Sequence, residues 1–567
     1  VVIAAPDANR LRHLMRDVTP FERDAMLASL RNGGEVDVLV VGGGITGCGV
    51  ALDAATRGLR TALVERDDFA AGTSSKSSKL IHGGLRYLQQ GDIRLVYEAL
   101  RERFRLRRNA PHLVQILPFM IPVLTKDSVV SRKVARALGM AMWMYDLTGG
   151  FRIGKFHKRL SADEAFAHMP TTRRDRLRSA YLYFDATADD ARLTLALAQT
   201  AAANGATVVN DCEVVGFGED AGHVCVRDRL TGDEIVVRAQ VVVNAAGVWT
   251  DEVRSLHEGV HPGTLRPAKG VHVTVPWDRV RNDIAVVIPV PGDKRTLFVV
   301  PWGRLADGTF RHCYVGTTDT DYSGPLDDPQ CTAEDVDYVL RALNAALDRD
   351  ITEPLTPGDV TASWAGLRPL VAGADSERTA DLSRRHVVTT SADGVVRVTG
   401  GKLTTYREMA DDTVDVVMKR LGRKGRSRTK SMRLVGATKL PALGVTDEGP
   451  GHLLGRYGSR AKDVQRLVDD DPSLGEQLVD GLPYLRAEAV YAVRHEMATS
   501  LVDVVTRRTR AHLVDREATR RAARDIAELL APVAGWDKSA VTREVDAYEA
   551  LCEQEERSTR GAEVLPG

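Results

Sequence analysis

Apolar residues run unbroken through "VDVLVV", Val36–Val41, stop at three glycines, and return at helical spacing in "ITGCGVALDAATRGL". They run unbroken again in "RTALVER". This pattern predicts a buried strand, a helix with small residues on one face that is stopped by Gly58, and a second strand, which together make a βαβ unit. Residues 1–35 read as an N-terminal arm with one short helix, closed by Asn32-Gly33-Gly34.

Farther on, "DIRLVYEALRERFRLRRNAP" has helical spacing and ends at Pro111. The pattern is mixed from Leu117 to about Leu182, with a Trp/Met-rich helix near Ala135 to Leu147. Helix and strand return in "ARLTLALAQTAAANGATVVNDCEVVGF", and two short strands lead to a second glycine-closed strand, "VVVNAAG". Short alternating strands from about Pro262 to Arg385 predict an antiparallel sheet. A hairpin with its turn at Asp393-Gly394 then runs into Gly400-Gly401 and a helix. The basic stretch Gly422 to Arg433 reads as a linker or exposed loop, and the remainder is mostly helical.

The fold class is α/β: a Rossmann-type domain in pieces (about 36–116, 183–261 and 386–420) interleaved with an antiparallel-sheet α+β domain (about 117–182 and 262–385). An all-α C-terminal domain covers 421–567.

A chain of 567 residues supports two or three domains and a deep site. Lysine plus arginine equals aspartate plus glutamate, 77 each, so no overall charge argues for nucleic acid as a partner. The six cysteines are scattered without metal-ligand spacing, which predicts neither a disulfide framework nor a structural metal. No run approaches the roughly 20 apolar residues of a membrane span, so the expectation is a soluble or peripheral protein.

The chemistry begins at Gly42-x-Gly44-x-x-Gly47. Gly42 permits the turn, Gly44 lets backbone N–H groups approach a pyrophosphate, and Gly47 lets the helix lie on the strand. Ile45 and Thr46 open that helix, whose N-terminus favours negative charge. Glu65, closing the second strand, is placed for ribose hydroxyls, and with Arg66 and Asp67 behind it argues against a 2′-phosphate. Long insertions between the nucleotide-fold segments suit FAD rather than NAD. Ala246, Gly247 and Asp251 in "NAAGVWTD" and Gly401, Lys402, Leu403 and Thr404 in "GGKLTT" belong to the same expected site, the latter with N–H groups against the flavin ring.

The stretch "GTSSKSSKLIHGGLRYL" puts Thr73, Ser74, Ser78, Lys79 and Leu80 beside the cofactor, with Gly83 and Gly84 allowing close approach. His82 and Arg86 then point into the site.

With "VVGGGITGCGVALDAATRGL", "NAAGVWTD", "GTTDTDY", "WAGLRPL", "TGGKLTTYREMA" and "HEMATSLVDVVTRRTRAHL", in register from about Val36 to Leu530, the chain resembles the FAD-dependent glycerol-3-phosphate dehydrogenases. The resemblance implies oxidation of sn-glycerol 3-phosphate to dihydroxyacetone phosphate, with electrons passed to membrane quinone. A phosphate dianion calls for cations, and Arg86, Arg368 and Lys402 lie in glycine-bounded motifs. They are the expected substrate ligands, with Tyr87 and Thr318 beside them. His82 is the first candidate for the base that removes the hydroxyl proton, and an electrostatic role supported by Lys402 is the rival. The loop "TEPLTPGDV" departs from the family in having Pro and Gly where polar, basic residues are expected. Alternatives are an oxygen-using glycerophosphate oxidase, an FAD-dependent amino-acid or N-methyl-amino-acid oxidase, and a non-catalytic flavin scaffold.

An enzyme of this kind without a membrane span has to dock. "SRKVARALGMAMWMYDL", Ser131 to Leu147, combines Arg132, Lys133 and Arg136 with Met140, Met142, Trp143, Met144 and Tyr145, which fits an interfacial helix or a core helix capped by surface charges. The expected location is the cytoplasmic face of the cell membrane. The C-terminal helices are open to either a homodimer contact or membrane docking.

Overall fold

The computed structural model describes residues 21–84, 93–125, 142, 143, 145, 154–259, 263–293, 295–371, 386–440 and 446–560. Arg86, Tyr87, Arg132, Lys133, Arg136, Met140 and Met144 lie outside them.

The first sheet grows from β1 (Val36–Val41). Helix α1 (Arg23–Asn32) precedes it and buries Met26, Leu27 and Leu30. Next to β1 on one side is β2 (Thr61–Val64), then β7 (Thr207–Val209). On its other side are β10 (Glu234–Asn244) and β18 (Val396–Thr399), all parallel, with β17 (Val387–Thr390) antiparallel at the edge. Its central strands β1 and β2 are apolar and buried almost throughout, whereas β10 alternates exposed and buried residues over its first half, and three helices share the sheet's apolar core. These are α2 (Ile45–Thr56), α4 (Asp190–Ala203) and α6 (Tyr406–Arg420), while α3 (Ile93–Asn109) and α5 (Ala333–Ala346) belong elsewhere.

The second sheet runs β15 (Thr320–Asp321), β11 (Leu265–Pro276), β14 (Phe310–Gly316), β13 (Thr296–Arg304), β12 (Ala285–Pro289), β4 (Val114–Leu124), β6 (Leu177–Ala188) and β3 (Leu80–Ile81). The long strand β16 (Ala362–Val371) pairs with β11. Pairing is antiparallel except between β12 and β4. One face packs on α5 around Val271, Val273, Val299 and Leu343. The other carries Phe119, Tyr183, Val287, Tyr314 and Trp364.

Strand β3 follows the hydroxyl-rich loop directly and pairs with β6, so that loop bridges the two sheets. Helix α5 lies within a stretch whose pattern suggested strands; it is opened by a capping box between Thr332 and Asp335. The basic stretch Gly422–Arg433 is docked rather than loose. Arg423 forks onto Asp37 at 2.9 and 3.0 Å, and the hydroxyls of Ser427 and Thr429 bond the buried Asp53. From Gly449 onward the chain is helical, with its own apolar core around Leu501, Val504, Ile526 and Leu530.

Candidate active site

The glycine turn after β1 is tight. Gly42 has φ +111°, and a side chain there would meet the Ala245 carbonyl at 2.8 Å, so the end of β10 lies against it. A side chain at Gly47 would come within 1.9 Å of the Gly42 carbonyl, which is how α2 starts immediately behind the turn. Thr46 lies in the first turn of that helix. The Ile45 N–H donates to Ser74 Oγ at 2.9 Å, tying the hydroxyl-rich loop to the helix N-terminus. Glu65 accepts the N–H groups of Gly43 at 2.5 Å and Asp67 at 2.9 Å, and each carboxylate oxygen keeps a lone pair. Burial pushes its carboxyl up to about 7 despite those two donors.

From this turn a cavity of about 950 Å³ runs to the second sheet. Ile45, Thr73, Ser74, Ser78, Leu80, His82 and Gly84 line it, and Gly401, Lys402, Leu403 and Thr404 close it on one side. Gly400 and Gly401 both have positive φ (73° and 84°), which turns the chain from β18 into the 3₁₀ turn Leu403–Thr405 and then α6. Gly83 is clamped, for a side chain there would strike Leu100 at 2.5 Å and the Tyr145 hydroxyl at 2.6 Å.

On the sheet side, Arg368 projects from β16 into the cavity. It donates to Asp319 Oδ1 at 3.1 Å, Thr317 Oγ1 at 3.1 Å and the Thr318 carbonyl at 3.2 Å. The neighbouring strand makes room for it at Gly270, where any side chain would come within 2.5 Å of the guanidinium.

Several expected residues sit elsewhere. Thr318 is buried, its hydroxyl taken by the Val271 N–H at 2.9 Å, while Thr317 and Asp319 reach the cavity. Lys79 turns away from the cavity to Asp190 (3.2 Å) and the face of Trp364 (4.7 Å). Arg66 lies over Trp249 and pairs with Asp327 at 2.5 Å. Asp251 caps the entry to β11 by accepting the N–H groups of Thr264 and Leu265. Ala246 lies against the glycine turn, where a side chain at Gly42 would meet its Cα at 3.0 Å, and Gly247 opens the 3₁₀ turn Gly247–Trp249. The loop carrying "TEPLTPGDV" folds onto itself through Thr356 and Asp359 and does not line the cavity.

Other lining residues escaped the sequence reading. His272, on β11, stacks on Trp364 (4.8 Å, 11°), and its Nε2 lies 2.9 Å from Ser78 Oγ. Burial, with Lys79 and Arg368 nearby, holds its pKa well below the usual range, so the ring is neutral at physiological pH. Its signal was a lone histidine between Val271 and Val273 in the buried half of β11. Arg295 adds a further cation, donating to the Asp319 carbonyl at 2.8 Å. Asp185, buried, accepts the Tyr145 hydroxyl at 2.6 Å and the Gly83 N–H at 3.2 Å. Neither Arg295 nor Asp185 stands in a pattern that the sequence marks.

The cavity thus joins the N-terminus of α2 to a wall of hydroxyls and backbone N–H groups, with cations at its far end, while Glu65 stands behind the glycine turn on the Gly43 N–H and off the lining. The residues present fit a dinucleotide stretched from Gly44 towards Gly401. Among the described residues no helix is long and apolar enough to cross a membrane, and no cluster of side chains could hold a metal ion.

Known proteins agree. Residues 37–407 match the FAD dependent oxidoreductase family, and residues 427–541 match the C-terminal domain of alpha-glycerophosphate oxidase. Glycerol-3-phosphate dehydrogenase 2 of Mycobacterium tuberculosis is 42% identical over 537 residues, 92% of this chain and 88% of that protein. The mitochondrial glycerol-3-phosphate dehydrogenase of Homo sapiens is 39% identical over 551 residues, 91% of this chain and 73% of that one. The structure of the Bacillus halodurans glycerol-3-phosphate dehydrogenase complexed with FAD superposes with a TM-score of 0.75 at 29% identity, covering 97% of this chain and 100% of that one. The L-alpha-glycerophosphate oxidase of Mycoplasma pneumoniae shares the fold alone, with a TM-score of 0.51 at 17% identity over 72% of this chain and 99% of that one. With a site built to receive FAD and relatives aligned across nearly its whole length, the chain belongs to the FAD-dependent glycerol-3-phosphate dehydrogenases.

Proposed function

We propose that the chain oxidises sn-glycerol 3-phosphate to dihydroxyacetone phosphate and passes the electrons to a membrane quinone while docked on the cytoplasmic face of the membrane. The observation that carries the substrate reading is the convergence of Arg368, Arg295 and Lys402 on the cavity that His82 and the hydroxyl-rich loop also line. Such a set suits a phosphate dianion, whereas an amino acid needs one cation and a carboxylate partner.

Bound FAD supplies the hydride acceptor for C2. Gly42, Gly44, Gly47, Ser74 and Glu65 would hold its nucleotide half, and Gly401 to Thr404 would hold the flavin end. Arg368, fixed by Asp319 and Thr317, binds the phosphate or a substrate hydroxyl together with Arg86, and Lys402 steadies negative charge on the substrate oxygen. His82 takes the hydroxyl proton, which a neutral imidazole can do near neutral pH.

Anaerobic mixing of the flavin-loaded protein with sn-glycerol 3-phosphate tests the reading, with glycine, sarcosine and glycerol as controls. Bleaching of the flavin by the phosphate ester alone supports it, and bleaching by glycine or sarcosine would sink it. The description of the matched C-terminal family favours a second acceptor, oxygen. One peroxide formed per turnover, with no reduction of a soluble quinone, would select that acceptor instead.

A further inference from the structure

The C-terminal helical part turns one short segment, Thr506 to Arg510, towards the back of the hydroxyl-rich loop. Arg510 is 1% exposed and has φ +83°, a backbone conformation that non-glycine residues avoid. Its guanidinium spreads over four acceptors: Asp189 at 3.0 and 3.1 Å, Asp190, the Ser75 carbonyl at 3.3 Å and, within its own turn, the Thr506 carbonyl at 3.0 Å. Asp190 also accepts the Ser77 N–H at 3.0 Å, the Ser77 hydroxyl at 2.6 Å and the Lys79 ammonium at 3.2 Å. Lys79 in turn donates to the Ser75 carbonyl at 3.2 Å.

The same segment holds the other end of the loop. Arg508 forks onto Asp68 at 2.6 and 2.7 Å, and Arg507 reaches Asp68 at 2.6 Å. Asp68 follows Glu65 by three residues, so one turn of the C-terminal part holds the chain ahead of the loop, at Asp68, and within it, at the Ser75 carbonyl and through Asp190 at Ser77 and Lys79; Thr73, Ser74, Lys76, Ser77 and Ser78 face the cavity. None of the three arginines lines the cavity.

We infer that Arg510 is a positioning residue for FAD: through Asp190 and the Ser75 carbonyl, the C-terminal part sets the shape of the loop that receives the cofactor, and so its retention. The charges explain the strength of the grip. Arg510 and Lys79 face Asp189 and Asp190 in a buried cluster, and removing one cation leaves a buried carboxylate short of a partner, which the loop relieves by moving. That movement is felt at Ser74, whose hydroxyl accepts the Ile45 N–H beside the glycine turn. The helical C-terminal part is thereby a component of the flavin site, whatever else its outer surface does.

The test is Arg510→Lys, which keeps the charge but replaces the planar fork by one ammonium that cannot serve all four acceptors. Apoprotein is titrated with FAD by fluorescence quenching, and Tm is measured with and without FAD. The expected result is a Kd for FAD raised roughly tenfold or more and a smaller FAD-induced gain in Tm, with native far-UV dichroism. Arg520→Gln serves as the control. It breaks the Arg520–Glu549 pair (2.5 Å) within the C-terminal part and should leave the Kd for FAD unchanged. A wild-type Kd and a wild-type FAD-induced gain in Arg510→Lys, even with a lower apoprotein Tm, would mean that Arg510 only joins domains, and would overturn the inference. Should Arg510→Lys be insoluble, Asp189→Asn carries the same test. Asp189 is 21% exposed on its side chain, lies off the cavity, and caps α4 through the Arg192 N–H, a task asparagine also performs. A several-fold rise in Kd supports the inference, and an unchanged Kd overturns it.

Discussion

The Thr404 hydroxyl bonds both backbone polar groups of His82, accepting its N–H at 3.2 Å and lying 3.3 Å from its carbonyl, to which it can donate. The two residues are 322 positions apart, and the contact brings the helix-start glycines and the proposed base to the same end of the cavity. Thr404 is 2% exposed, so losing the hydroxyl strands a buried N–H at a cost of about 1–3 kcal/mol. Thr404→Val, nearly identical in volume, is therefore expected to lower Tm by a few degrees and slow flavin bleaching by sn-glycerol 3-phosphate roughly tenfold. Stopped-flow bleaching at the wild-type rate would show that the clamp does not set the position of His82.

Arg368 is aimed by Asp319, and the two make separable predictions. Arg368→Lys keeps a cation but loses the fork, so KM for the phosphate ester should rise on the order of tenfold to a hundredfold with FAD content unchanged. Asp319→Asn keeps a hydrogen-bond acceptor for the guanidinium and should raise KM several-fold. If both variants lower kcat and leave KM alone, Arg368 acts in the transition state rather than in substrate binding.

The βαβ unit was legible because everything that shapes it is local: an apolar run, glycines at three spacings, and an acidic residue at the next strand end. The glycine pair before α6 was legible for the same reason. What escaped depended on partners far along the chain. Gly422–Arg433 has a composition suited to solvent, yet Arg423 finds Asp37 across 386 positions. Nothing near Asp190 announces that Arg510, 320 residues later, will sit against it. The strand β3 has only two residues, and no local signal assigns it to the second sheet rather than the first. Helix α5 is a different case, because its Thr332/Asp335 capping box was visible in the sequence and was overridden by the alternating strands around it.

Glu65 gives a pH prediction. With its pKa in the free protein raised to about 7, folding of the apoprotein gains from this group fully at pH below about 4.5 and loses that gain as pH rises through 7. Ribose hydroxyls donating to the carboxylate favour its charged form, so FAD binding releases a proton and tightens as pH rises from 6 to 8. The FAD-induced gain in Tm should grow over that range in wild type and stay flat in Glu65→Gln. Equal pH dependence in both proteins would move the titrating group elsewhere.

Trp143 is 58% exposed and meets His157 edge-on at 5.1 Å, whereas Met142 and Tyr145 beside it are buried. An exposed indole next to anchored neighbours suits contact with a lipid interface. Trp143→Glu combined with Arg136→Glu should abolish co-sedimentation with anionic vesicles while dye-linked oxidation of sn-glycerol 3-phosphate continues. Undiminished co-sedimentation of a folded double variant would put the membrane contact on another surface.

Two imidazoles line the cavity, and pH distinguishes them. A base must be unprotonated, so the acid limb of kcat/KM reports the pKa of the group that acts. His272 is buried, stacked on Trp364 and near Lys79 and Arg368, all of which disfavour its cation; if it were the base, the limb would fall well below the ordinary histidine range. His82 sits at the edge of the second sheet beside the Gly83-Gly84 turn. His82 as the base therefore predicts that His82→Gln cuts kcat by two to four orders of magnitude, roughly the usual worth of a general base, and removes the acid limb. His272→Gln would disturb Ser78, whose hydroxyl it meets, and should lower FAD affinity while leaving that limb in place. The opposite result, a limb that survives His82→Gln and vanishes with His272→Gln, would transfer the proton to the buried ring and leave His82 as a support for the flavin.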